Sequence, residues 1–477
     1  MATYEMVIGL EVHVELATRT KIFCGCTTQF GGAPNTHTCP VCTGMPGTLP
    51  VVNRRVVEFA IATGLATNCE ITQRNKFDRK NYFYPDLPKA YQVSQLYLPI
   101  CRNGRLTIST AQGEKDVRIH EIHMEEDAGK LMHDPWIDQT MVDYNRCGVP
   151  LLEIVSEPDM RSADEVIAYL TKLRQTLQYL GVSDCKMQEG SLRADVNLSV
   201  RPVGSETLGT RTEMKNLNSF KAIARAIEGE FRRQTELIED GGHVRQQTRR
   251  WDDNKGTSFA MRSKENAQDY RYFPEPDLPP IEISQEWIDE IRARQPELGE
   301  EKRARYQREF TLPEYDAGIL TEEKPMADLF EVAVALCAKP KEVSNWLMGE
   351  TMALMKEKQV SPDQLSLTPH ALARIVTLVS DGKLSRQSAK EVFAYAFDGG
   401  EDVDGYVKEH GLEMVSDDGA YEAVLAEVFE RCAKDVAEYR AGNQKVFGFL
   451  VGQAMKALKG KADARKVNEL LRKMLAS

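Results

Sequence analysis

The chain has 477 residues, of which 42% are hydrophobic and 28% charged, and a formal net charge of −11. That length predicts two to four domains, each able to bury its own core, while the lack of a bilayer-length apolar run and of a charged-then-apolar leader at Met1 predicts a cytoplasmic protein. Thiols in that compartment stay reduced, so the ten cysteines argue for metal ligation over disulfides.

The first predicted element is the strand in MVIGLEVHVEL (6–16). Its period of two puts Met6, Ile8, Leu10, Val12 and Val14 on one face and Glu11, His13 and Glu15 on the other. FCGCTTQFGGAPNTHTCPVC (23–42) follows, with Cys24-x-Cys26, twelve residues, then Cys39-x-x-Cys42. The intervening loop holds Gly31, Gly32 and Pro34, so both close pairs can bend round one tetrahedral ion. Zinc is the natural candidate, in a structural role because four sulfurs leave no open position, with His37 as an alternative ligand. A Cys39/Cys42 redox pair and plain buried thiols are the competing readings.

HEIHMEEDAGK (120–130) crowds two histidines and four acids into eight residues. Ser162-x-x-Glu165 predicts a capping box opening a helix on which Val166, Leu170, Leu173, Leu177 and Leu180 recur at helical spacing, with Gly181 as its C-terminal glycine. In SLRADVNLSV (191–200) Leu192, Ala194, Val196 and Leu198 oppose Arg193, Asp195 and Asn197, and in TRTEMKN (210–216) Arg211, Glu213 and Lys215 share a side. Strands that gather carboxylates, a histidine and basic groups on one face suit a Mg²⁺ and nucleotide-phosphate site. A sheet face simply wetted by solvent explains the same alternation.

The strand-like text ends at PEPDLPP (274–280), helical periodicity runs from about Trp287 to DGGEDVDG (398–405), and a third, helical unit follows. Its last two helices carry Phe447, Leu450, Val451, Ala454 and Leu458, then Val467, Leu470, Leu471 and Met474, each set on one face. From Arg431 to Ser477 eleven Lys or Arg face four Asp or Glu, a local balance of +7 that leaves −18 for the first 430 residues. This asymmetry fits a phosphate-binding appendage on an acidic body, or two basic solvated helix faces. Gly129-Lys130, Gly382-Lys383 and Gly460-Lys461 are not followed by Ser or Thr, so no P-loop is present, and no G-x-S-x-G elbow occurs. Any ATP must be positioned by carboxylate-held metal.

VIGLEVHVEL, KNYFYPDLPKAYQVSQ (80–95), HMEEDAGK (123–130), VDYNRCGVPLLEIVSEPD (142–159), KMQEGSLRADVNLSVRP (186–202), EMKNLNSF (213–220), DYRYFPEPDLPP (269–280), SNWLMG (344–349) and FLVGQAMKA (449–457) resemble, over nearly the whole chain, the GatB family, the B subunits of tRNA-dependent amidotransferases. The resemblance implies an α+β fold: an antiparallel-sheet, glutamine-synthetase-like cradle domain with its cysteine knot (1–290), a helical domain (291–405) and a small all-α tail domain that touches tRNA (406–477). It implies ATP-dependent amidation of misacylated Glu-tRNA(Gln) or Asp-tRNA(Asn). Its expected partners are the A subunit, a glutamine-hydrolysing amidase, and the small C subunit, with the non-discriminating aminoacyl-tRNA synthetase as a candidate further partner. By resemblance the Mg²⁺ ligands are Glu11, His13, Glu125 or Glu126, and Glu213. The residues themselves leave the choice between the adjacent glutamates open and admit Asp195 and Asp127 as further ligands. Lys80, Tyr82, Lys89 and Arg193 are the candidates for phosphate contact or a polar ammonia route.

Overall fold

A computed structural model describes residues 3–134, 136–262, 270–414, 418–458 and 464–476. Met1, Asp269 and the Gly460-Lys461 pair lie outside the described residues. The chain divides into two compact units, Met1–Leu298 and Gly299–Ser477.

The first unit opens with strand β1 (Tyr4–Glu15) and helix α1 (Arg54–Ala66). The short strands β2 (Glu70–Ile71), β3 (Arg74–Asn75), β4 (Asp78–Asn81) and β5 (Tyr91–Ser94) come next. The long hairpin β6 (Cys101–Thr110) and β7 (Gly113–Glu126) precedes β8 (Lys130–His133), β9 (Thr140–Asp143) and β10 (Pro150–Ser156). Helix α2 (Ala163–Tyr179), β11 (Leu192–Pro202), β12 (Thr212–Lys215) and helix α3 (Phe220–Glu239) follow. The unit closes with β13 (Gln247–Asp252), β14 (Thr257–Arg262), β15 (Phe273–Pro274), β16 (Ile281–Glu282) and helix α4 (Gln285–Ala293).

Nine strands form one sheet in the order β14-β13-β12-β11-β1-β10-β7-β6-β2. Every pairing in it is antiparallel except β12 with β13, which are parallel because α3 carries the chain across between them. β1 lies at the centre, and its Met6, Ile8, Leu10, Val12 and Val14 are buried in the main core with Val166, Leu170, Leu173 and Leu177 of α2 and Ile223 and Ile227 of α3. Each such side chain contributes about 1.5–3 kcal/mol on burial, so the apolar face anchors the strand and releases the opposite face for polar groups. Ser162 caps α2 by accepting from the Glu165 N–H at 3.2 Å. The capping box is only half made, because the Glu165 carboxylate accepts from the Arg161 N–H at 2.7 Å and pairs with Lys115. A three-stranded sheet, β15-β4-β5, completes what surrounds the site.

The second unit is helical. Tyr306, Phe330, Trp346, Leu372 and Phe393 belong to one core cluster, with Trp346 stacked on Phe393 at 5.1 Å. Tyr421, Leu425, Ala454, Val467 and Leu471 belong to another, built by helices that include Phe447–Ala457 and Ala464–Ala476. A large antiparallel-dominated sheet followed by a helical C-terminal region is the expected α+β class. Among the described residues no helix is long and apolar enough to cross a membrane.

Candidate active site and cysteine knot

The polar face of β1 meets its neighbours in a register that collects acids. His13 lies opposite Glu153 of β10, which lies opposite His123 of β7. Glu125, one pleat along β7, approaches the same place: His13 Nδ1 is 3.2 Å from Glu125 Oε1 and 4.0 Å from Glu153 Oε2. The ligand atoms of His13, Glu125 and Glu153 all lie within 4.8 Å of one another. His123 Nε2 contacts Glu153 Oε2 at 2.9 Å, and the Ser94 hydroxyl donates to Glu125 Oε2 at 3.5 Å. Burial opposes charge on the His13 ring, but Glu153, Glu125 and Asp195 outweigh it and push the imidazole up to about 9. Burial acts against Glu153 too, yet His123 and His13 hold its carboxyl far below the usual range. The carboxylates in contact with the His13 and His123 rings favour the charged form of both.

Across β1 a second triad forms. Glu11 lies opposite Asp195 of β11, and Asn197, one pleat on, lies opposite Glu213 of β12. Ligand atoms of Glu11, Asp195 and Glu213 again fall within 4.8 Å of one another. Asn197 Nδ2 donates to Glu11 Oε1 at 2.9 Å, and the buried Thr248 hydroxyl donates to Glu213 Oε2 at 2.6 Å. The Lys215 ammonium pairs with Asp195 and, at 3.3 Å, with Glu213 Oε1. Glu11 and His13, about 7 Å apart along one strand face, therefore belong to different triads.

The remaining predicted residues surround these groups. Glu126 points to the other face of β7, where its carboxylate pairs with Lys89 at 2.5 Å and accepts the Val93 N–H at 2.9 Å. Asp127 accepts from Arg193 at 2.8 Å and lies 3.3 Å from Arg146. Burial and the neighbouring Asp127 push Glu15 up to about 8. The Lys80 ammonium sits 5.0 Å from the Tyr270 ring centroid and 5.8 Å from that of Tyr82. Burial opposes its charge, but Tyr272, Glu125 and Glu153 favour it and keep the ammonium protonated. Burial pushes the Tyr82 phenol up to about 12.

The cysteine knot lies apart from both triads. The sulfurs of Cys24, Cys26, Cys39 and Cys42 fall within 4.8 Å of one another, with Cys39 and Cys42 at 3.9 Å. Four thiolates about 2.3 Å from a tetrahedral zinc stand about 3.8 Å apart, so the set fits that ion. Its hydrogen bond with Cys24, working against burial, holds the Cys42 thiol down to about 4, with Lys21 contributing. Lys21 is fully buried and donates to the His37 carbonyl at 2.7 Å and to Cys42 Sγ at 3.6 Å. His37 thus contributes its backbone oxygen here, and the clustered ligand atoms are the four sulfurs.

Residues 6–289, which hold both triads and the knot, match the family described as the GatB/GatE catalytic domain, and residues 328–475 match the GatB domain. The chain belongs to the GatB family. It is similar to the B subunit of the aspartyl/glutamyl-tRNA(Asn/Gln) amidotransferase of Lachnoclostridium phytofermentans, 66% identical over 476 residues that cover the whole of both chains. The proteins of the same name from Agathobacter rectalis and Caldicellulosiruptor bescii are 64% and 56% identical over 475 residues, covering 100% and 99% of each chain. A GatB-family chain is thus matched from end to end, not through one domain.

Two residues of this GatB-family site, Glu153 and His123, were not among the candidates read from the sequence. Glu153 is the one acid in the otherwise apolar strand PLLEIVS, and a lone carboxylate at an alternate position of such a strand is the signal that could have found it. His123 stands in the His- and acid-rich segment but had no assigned role until the register set it against Glu153.

Proposed function

We propose that this chain is the carboxylate-activating component of a tRNA-dependent amidotransferase acting on Glu-tRNA(Gln) or Asp-tRNA(Asn). A carboxylate resists ammonia because oxide would have to leave. Transfer of the ATP γ-phosphoryl group to its oxygen yields ADP and an acyl phosphate; ammonia then displaces phosphate, losing a proton as the amide forms. The observation that carries this reading is the pair of acidic triads on one sheet face, within the span matched by the catalytic domain.

Phosphoryl transfer is chiefly positioning and charge neutralisation. The Glu11–Asp195–Glu213 triad offers three hard carboxylate donors suited to Mg²⁺, and an ammonium already rests against its Asp195 and Glu213 carboxylates; the other triad offers the Glu125 and Glu153 carboxylates, and its His13 imidazole must lose a proton before it can ligate. Bound there, Mg²⁺ supplies neutralisation for the phosphate oxygens. Thr248 and Asn197 hold the Glu213 and Glu11 carboxylates in place, and Lys80 presents a protonated ammonium toward Glu125 and Glu153 for substrate or phosphate oxygens. Arg193, opposite His13 and paired with Asp127, extends the polar lining along which ammonia reaches the site, whereas Lys89 pairs with Glu126 on the other face of β7. The four cysteines fit a structural zinc that has no open position and takes no part in the reaction.

The sequence carries no hydrolase motif of its own, so the ammonia comes from a partner amidase, the A subunit, held with the small C subunit, while the basic tail contacts tRNA. Co-expression with both partners tests this directly. Glu213→Ala or Glu11→Ala is expected to abolish ATP-dependent phosphorylation of Glu-tRNA while the partner still hydrolyses glutamine. Full amidation by either variant refutes the assignment.

A further inference from the structure

Lys215 occupies an unusual position. Its ammonium pairs with two of the three carboxylates of the Glu11–Asp195–Glu213 triad. A divalent cation held by those oxygens at about 2.1–2.6 Å would stand within about 5 Å of the Lys215 nitrogen that contacts the same Asp195 carboxylate, and two such charges repel strongly when that close. Ammonium and cation therefore exclude one another. The lysine is free to leave: its side chain is 37% exposed and ends a flexible four-carbon stem with rotatable donors. Arg250, exposed and opposite Lys215 in the β12–β13 register, adds a second cation at the same edge, so a displaced ammonium meets surroundings suited to an anionic phosphate.

We propose that Lys215 is a displaceable counter-ion, which neutralises the Glu11–Asp195–Glu213 triad before nucleotide binds and transfers to a phosphate oxygen when the divalent cation arrives with ATP. The inference rests on the reading of this triad as a cation site. It makes cation and nucleotide binding cooperative: the cation alone must evict the ammonium into water, whereas the cation with its phosphate gives the ammonium a new partner.

The test is Mn²⁺ titration of the full-length chain by electron paramagnetic resonance, without nucleotide, for wild type, Lys215→Met, Lys215→Arg and Glu213→Gln. Lys215→Met is expected to bind Mn²⁺ about 10-fold more tightly, while Lys215→Arg stays near wild type. In the complex with its partners the Met variant should also need at least about 10-fold more ATP for half-maximal turnover. The two effects run in opposite directions, which a merely structural ion pair would not produce. Unchanged or weaker Mn²⁺ binding by Lys215→Met of wild-type melting temperature overturns the inference, and should that variant not fold, Lys215→Gln takes its place. Glu213→Gln separates the two readings: if it leaves the number and affinity of Mn²⁺ sites unchanged, the triad is no cation site and the inference falls with it; if it removes one site while Lys215→Met changes nothing, only the role of Lys215 fails.

Discussion

Four sulfurs from residues 24 to 42 converge in the cysteine knot, whereas the two triads draw six side chains from five strands between residues 11 and 213. The knot is local and closed, with every position of a tetrahedral ion taken by protein. The triads are assembled at long range, from five carboxylates and one imidazole. On the function proposed above, the contrast separates a device that holds a loop from one that does chemistry, by donor number and hardness.

Breaking the knot should give the largest change in stability and the smallest in chemistry. Cys39→Ser with Cys42→Ser is expected to cost at least about 4 kcal/mol of folding free energy, seen as a melting temperature lower by about 10 °C or more, with turnover per folded molecule within about twofold. A steep loss of turnover in protein of unchanged melting temperature would move the knot into the reaction. Glu153→Gln, on the triad side, should do the reverse: turnover and Mn²⁺ affinity fall by about 100-fold or more, since even the outer partners of metal ligands are worth about 10–100-fold, while the fold is retained. Wild-type Mn²⁺ affinity in this variant would remove Glu153 from the site.

Proton linkage sharpens the comparison further. The folded chain holds His13 up to about 9, above its ordinary 6.5, so its contribution to stability is fully present below pH 6.5 and is lost as pH rises through about 9. Its ceiling is about 3 kcal/mol. Melting temperatures of chelator-treated protein between pH 6.5 and 9.5 should therefore fall more steeply for wild type than for His13→Gln; parallel curves would contradict the charged imidazole. The smallest effect is expected from Thr248→Val, which removes the 2.6 Å hydrogen bond to Glu213. About 1.5–3 kcal/mol is at stake in a bond to a charged group, read as a modest loss of turnover with an unchanged pH profile, and no change at all would mean that Glu213 is positioned by other contacts.

How much of this was readable in advance follows the same division. The knot was legible because its ligands share one short segment, and the faces of β1 and β11 because a period of two needs no knowledge of neighbours. The grouping of acids was not. The family resemblance implied one set of Mg²⁺ ligands, Glu11, His13, Glu125 or Glu126, and Glu213, but which groups meet depends on register: Glu11 faces Asp195 while His13 faces Glu153, and a slip of one residue would exchange the faces. The choice between Glu125 and Glu126 is likewise one of pleat. The strand sends Glu125 to His13 and Glu126 to Lys89. The Ser162-x-x-Glu165 box failed by half for a similar reason, as Lys115 and the Arg161 N–H claimed the glutamate that a local motif would have kept.

The central place of β1 also bears on how the chain is made. Residues 4–15 pair with residues 151–155 on one side and 192–202 on the other, so this strand waits for partners translated much later. At about 5–20 residues per second that delay is roughly 10–40 s, during which an apolar strand edge stays open to misassociation. Chaperone protection of the nascent chain should accordingly matter most before residue 202 emerges, and ribosome-stalled fragments ending short of β11 should aggregate where longer ones do not.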